Sequence, residues 1–136
     1  DGMTDTLALI ERYYAAFNRG DWDAMLDCLA EDVAHDLNQG EREIGRETFR
    51  AFLARMDRCY SEQLKKIVVM AHADGQRAAA EYEVHGTYEF DDEGLPPARG
   101  QKYVLPGGAF FDIRGGKISR VSNYYNLQDW IDQVSA

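Results

Sequence analysis

The chain has 136 residues, 45% hydrophobic and 29% charged, with 24 acidic against 15 basic side chains and a net charge of −9. That is one domain, 1–136, long enough to bury a core. The acidic balance repels nucleic-acid backbones and anionic membrane surfaces, and the longest aliphatic run, Ile67 to Ala71, is far too short to span a bilayer.

Asp1 and Gly2 ahead of Met3 read as a leftover of expression, and no basic-then-apolar leader follows them. Thr4 or Asp5 can cap a first helix on which Leu7, Ile10, Tyr13, Tyr14 and Phe17 recur at helical spacing. Asn18-Arg19-Gly20 ends it, and Asp21 caps a short second helix with Trp22, Met25, Leu26 and Leu29 on one face. DVAHDLNQG, residues 32–40, reads as a strand followed by the turn Asn38-Gln39-Gly40, with a short return strand through Ile44. A third helix starts near Arg46 and buries Phe49, Phe52, Leu53, Met56 and Tyr60.

After Tyr60 the pattern turns to strands: Leu64 to Ala73, a hairpin at Asp74-Gly75, Gln76 to Phe90, a polar loop to Gly100, and Gln101 to Ile113. Pro106-Gly107-Gly108 reads as a bulge or bend in that last strand. The turn Arg114–Lys117 leads to a final strand, Ile118 to Asn126, and a short amphipathic end with Leu127, Trp130, Ile131 and Val134. The expected fold class is α+β: a cone-shaped, curved, antiparallel or mixed sheet with about three helices on its concave side and a pocket between them.

Cys28 and Cys59 lack CxxC spacing and read as buried reduced thiols, and no N-x-S/T site occurs, which together point to a cytoplasmic protein. There is no P-loop, dinucleotide fingerprint, GxSxG elbow or HExxH, so neither a cofactor nor a metal is expected.

The runs RYYAAFNRGDWDAMLDCLAEDV, IGRETFRAFL and GGAFFDIRGGKISRVSNYYN resemble the nuclear transport factor 2-like superfamily. Within it they are most similar to the ketosteroid-isomerase-related, SnoaL-like polyketide cyclase branch. The resemblance spans nearly the whole chain. It implies a small-molecule ligand, a homodimer through the sheet, and cofactor-independent acid–base chemistry on a carbonyl compound: isomerisation, dehydration or cyclisation. Its alternatives are a non-catalytic binding protein and an interaction module of the same fold. In ketosteroid isomerase an Asp base works with a Tyr and a protonated Asp. Carried over, the Tyr falls on Tyr13 and, with one residue deleted, the base falls on Asp36; the second acid has no counterpart, its position being Gly108.

Alternation along a strand sends His35 and Asp36 to opposite faces. Asp36 is the candidate base, against the alternative of an Asp that bonds the following turn; His35 is then structural. Asn38 shares the parity of Asp36 and could orient a substrate oxygen. Tyr13 is either a pocket hydroxyl or core. In AAAEYEVHGTY, simple patterning buries Tyr82, Val84 and Tyr88, whereas the resemblance implies that Glu81, Glu83 and His85 line the pocket. Asn123 and Tyr125 share a face of the last strand and are candidate pocket liners.

Overall fold

The computed structural model describes residues 2–37 and 39–136. Asn38, the expected substrate-orienting amide, lies outside them. Among the described residues there are four helices and six strands: α1 Gly2–Asn18, α2 Trp22–Asp27, β1 Leu29–Leu37, β2 Arg42–Ile44, α3 Arg46–Cys59, β3 Tyr60–Ala71, β4 Arg77–Tyr88, β5 Gln101–Arg114, β6 Lys117–Tyr125 and α4 Leu127–Ser135. The strands form one curved sheet in the order β2-β1-β6-β5-β4-β3. Only the β1–β6 pair is parallel; the others are antiparallel. No described helix is long and apolar enough to cross a membrane.

The helical periodicity of α1 places Ile10, Tyr13 and Tyr14 on the sheet, all buried. Thr6 pins its first turns by donating to the Gly75 carbonyl at 2.6 Å. Asp21 caps α2 as its position predicts, accepting from the Ala24 N–H at 3.1 Å. α3 buries Phe49 and Leu53 but stops at Cys59. Tyr60 is extended and opens β3, because its ring stacks on Tyr88 with centroids 5.4 Å apart. That lengthens the expected strand backwards by four residues and brings Glu62 into the sheet.

The expected bend at Pro106-Gly107-Gly108 is absent. β5 runs through it in unbroken register with Glu83, Tyr82 and Glu81 of β4. Pro106 is tolerated because β6 pairs with β5 only from Gly107 onward, so its missing N–H falls on an unpaired edge. Irregularities lie elsewhere: in β3 at Lys66, whose φ is 54°, and in the β5–β6 and β1–β6 pairings at Asp112/Ile113 and Leu29/Ala34. The edge of β5 ahead of Pro106 is covered by α4. Gln133 accepts from the Val104 N–H at 3.1 Å and donates to its carbonyl at 2.9 Å. Gln101 and Arg99 hold the helix end through the Val134 carbonyl. Cys28 and Cys59 are buried and unpaired.

Candidate active site

The helix-covered face is set by the apolar parity of each strand. Val33 and His35 point inward on β1, and Ala34 and Asp36 point outward. Asp36 therefore leaves the cone. Arg42 grips its carboxylate at 2.6 and 2.9 Å, and the Ser122 hydroxyl donates to it at 3.0 Å. Those bonds, Arg42 first, hold the acid below the usual carboxylate range. A depressed pKa on the outer face does not suit a base for carbon acids, and the expectation for Asp36 is corrected on this geometry. The ladder continues through Arg120, which contacts Ser122, to Asp112 at 2.9 Å and on to Arg77.

The same correction applies to Glu81, Glu83 and His85. They share the outer face: Glu83 pairs with Lys66 at 3.3 Å and with His85 at 3.1 Å, and Glu81 is exposed. The opposite set, Tyr82 and Val84, packs inward. Of the other expected residues, Tyr13 is sealed in the core with its ring edge on Phe111 at 5.8 Å. Asn123 and Tyr125 do share the inner face, and Asn123 reaches His35 at 3.1 Å.

The inner face holds a carboxylate that sequence reasoning missed. Glu62, Gly86 and Tyr103 are successive cross-strand neighbours on β3, β4 and β5. Tyr103 lies flat across Gly86, where an added Cβ would sit 2.3 Å from the ring. Its hydroxyl thereby reaches Glu62 at 2.5 Å. Burial raises the Glu62 pKa, and the Tyr103 bond only partly offsets this. A second glycine repeats the device: Gly107 makes room for Tyr82, whose ring would be 2.6 Å from a Cβ there. Tyr82 meets Tyr14 of α1 at 5.4 Å, and burial pushes its hydroxyl up to about 12. The Tyr14 hydroxyl lies beside it, buried, without a hydrogen bond of good geometry. Glycine inside a strand signals close approach by another group, and Gly86 and Gly107 carried that signal.

Tyr82, Val84, Gly107 and Asn123 are only half-buried although they face inward, so this part of the inner face is open to solvent. Its polar groups are Glu62 and Tyr103 on one side, Tyr82 in the middle, and Asn123 with His35 on the other. His35 lies between Phe49 and Phe52, with centroids at 4.4 and 4.7 Å. Desolvation drops its pKa to about 4, with Asp36 opposing the shift.

A folded pKa below the ordinary value of 6.5 means that the unfolded chain takes up this proton first. Stability should therefore fall as pH drops from about 6.5 to about 4 and flatten below, with this residue contributing up to about 1.4 kcal/mol per pH unit. Urea midpoints across that window should show a shallower slope for His35→Gln; an equal slope would remove this assignment.

A family model described as SnoaL-like domain matches residues 10–121. No curated protein matches the chain. Among solved structures, a candidate polyketide cyclase of Xanthomonas campestris pv. campestris is 64% identical, with TM-score 0.95 over 98% of this chain and 99% of that one. A candidate polyketide cyclase of Pseudomonas putida KT2440 is 62% identical, with TM-score 0.94 over 95% and 97%. An epoxide hydrolase of M. tuberculosis, 16% identical with TM-score 0.77 over 98% and 86%, shares the fold. The chain belongs to the SnoaL-like domain family of the nuclear transport factor 2-like superfamily.

Proposed function

We propose that the protein is a cofactor-independent acid–base enzyme for a small carbonyl-containing molecule, with Glu62 rather than Asp36 as the proton-transferring carboxylate. The observation that carries this reading is the Glu62–Tyr103 pair on the inner face. A carboxylate whose pKa is raised by desolvation is a stronger base toward a carbon acid. The Tyr103 hydroxyl gives its single proton to Glu62 in the resting site, and once Glu62 has taken the substrate proton that O–H is released to donate to the oxygen on which charge develops. Isomerisation, dehydration and aldol-type cyclisation all begin with this proton transfer. The reading is also in keeping with the candidate cyclases that the chain most resembles among the structures above.

Deuterium exchange in D2O tests it without knowledge of the final product. A panel of aryl and polycyclic ketones is followed by NMR for loss of protons next to the carbonyl. Catalysed exchange of at least one member is expected, and Asp36→Asn should retain it. Ligand-induced melting shifts with no exchange would replace this reading by a non-catalytic binding protein.

The outer face supports a homodimer through the sheet. Val68, Met70, Val104, Phe110 and Tyr124 are about half exposed there, and Phe110 packs on Tyr124 at 5.5 Å. Exposed apolar residues on an otherwise charged sheet suit a subunit interface. Phe110→Arg should convert a dimer to a monomer in light scattering; an unchanged mass would place the interface elsewhere.

A further inference from the structure

A carbon next to a carbonyl gives up its proton readily only when a hydrogen-bond donor already faces the carbonyl oxygen. A base at Glu62 therefore needs a donor that is free before proton transfer begins. Tyr103 is not free, because its one proton is held by Glu62 at 2.5 Å. The chain has eight tyrosines, and most of the other hydroxyls are committed or face elsewhere. Tyr60 donates to Asp92 at 2.7 Å. Tyr88 donates to the Pro96 carbonyl at 2.6 Å. Tyr13 and Tyr14 are buried on α1, and Tyr82 turns its ring to Tyr14. Tyr124 lies on the outer face against Phe110.

Tyr125 remains. It is in step with Val121 and Asn123 on β6, so it faces inward. It is 38% exposed, and among the described residues no hydrogen bond engages its hydroxyl; only its backbone carbonyl is bonded, by Gln39 at 3.4 Å. Its cross-strand neighbour on β5 is Gly107, which offers no side chain to cover it, and Tyr82 stands opposite the same glycine on β4. Tyr125 thus borders the open part of the inner face. Burial raises its pKa first, the charges of Glu62 and Asp92 add to this, and Arg55 opposes them. Tyr125 is therefore within the electrostatic reach of Glu62, and its hydroxyl stays neutral and keeps the proton it would donate.

We propose that Tyr125 is a catalytic residue whose hydroxyl donates to the carbonyl oxygen of the bound substrate before Glu62 takes the neighbouring proton. As the carboxylate gains that proton, the C–H electron pair moves toward the oxygen, and the released Tyr103 hydroxyl joins Tyr125 as a second donor. The proton returns from Glu62 to carbon when the enolate collapses, so no further reactant is consumed. The catalytic part rests on the acid–base reading above, whereas the contact between Tyr125 and a carbonyl oxygen does not.

The probe is 2-acetylnaphthalene carrying carbon-13 at its carbonyl, followed by infrared difference spectra on the protein. Bound to the wild type, its carbonyl band should lie below its position in an aprotic solvent. Tyr125→Phe should return the band to that position, and Tyr103→Phe should leave it shifted. Tyr125→Phe should melt as the wild type does, because the hydroxyl has no partner in the fold to lose. Its catalysed exchange should fall about a hundredfold, the scale of losing one donor to a developing oxyanion. Failure of the wild type to bind the ketone, a band at the aprotic position, or a shift that follows Tyr103 or survives Tyr125→Phe overturns the proposal. The band is read without turnover, so the two readings fail separately. A Tyr125-dependent band without exchange removes the acid–base reading and keeps the contact. Exchange that is indifferent to Tyr125→Phe removes the role of Tyr125 and keeps Glu62.

Discussion

Glu62→Gln should lower catalysed α-proton exchange by at least about a hundredfold, the scale expected for loss of a positioned base, while making the protein more stable. The two effects have one cause. Glu62 is desolvated on the inner face, and its folded pKa lies above the ordinary carboxylate value. The folded state therefore holds the proton to a higher pH than the unfolded chain does. As pH rises past the unfolded value the unfolded state gains, and the penalty is complete once pH exceeds the folded value. Glutamine keeps an acceptor for Tyr103 but carries no charge to desolvate. A gain of about 1 kcal/mol is expected near pH 8, typical of relieving a strained functional site, and it should vanish near pH 4. Thermal melts at the two pH values, beside the exchange assay, check both halves. Undiminished exchange would end the role of Glu62 as base, and a gain independent of pH would show that desolvation is not its source.

Gly86→Ala should have the second largest effect. The added methyl would lie 2.3 Å from the Tyr103 ring and 2.4 Å from its hydroxyl oxygen. The ring must lift from the sheet, and its hydroxyl then leaves Glu62. Overpacking of this kind costs about 1–3 kcal/mol, and exchange should fall with it because the paired donor is lost. Tyr103→Ala also removes the donor but creates space. Tyr103→Ala is itself costly because the ring is buried, but in that background Gly86→Ala should cost little further stability and restore no activity, a coupling that a double-mutant cycle reads directly. Additive stability losses would mean that the ring and the methyl do not compete.

Much of the fold was legible because burial and periodicity agree along most of the chain. The stripe of α1, the cap at Asp21 and the hairpin at Asp74-Gly75 each follow from local chemistry. The site was less legible, for a geometric reason. On a strand a displacement of one residue exchanges the two faces. Placing the base on Asp36 required a one-residue deletion, and that deletion put the wrong face inside. The apolar parity of Val33, in step with His35, carried the correct answer. β4 repeats the lesson: Tyr82 and Val84 face inward, as simple alternation has it, and the borrowed expectation for Glu81, Glu83 and His85 fails. Glu62 was hidden differently. Tyr60 continues the helical stripe of α3, so the sequence pattern carries no strand alternation at the start of β3 that would mark the face of Glu62.

The clasp between Gln133 and Val104 bears on how the chain reaches this state. A side-chain amide there occupies backbone groups that would otherwise receive another strand. Yet α4 follows every strand in the sequence. During synthesis β5 can pair with β4 while its other edge, ahead of Pro106, stays bare until the residues of α4 leave the ribosome. Nascent chains halted before Gln133 should thus be the aggregation-prone species of this protein, and the interval between completing β6 and docking α4 is when a chaperone would matter most.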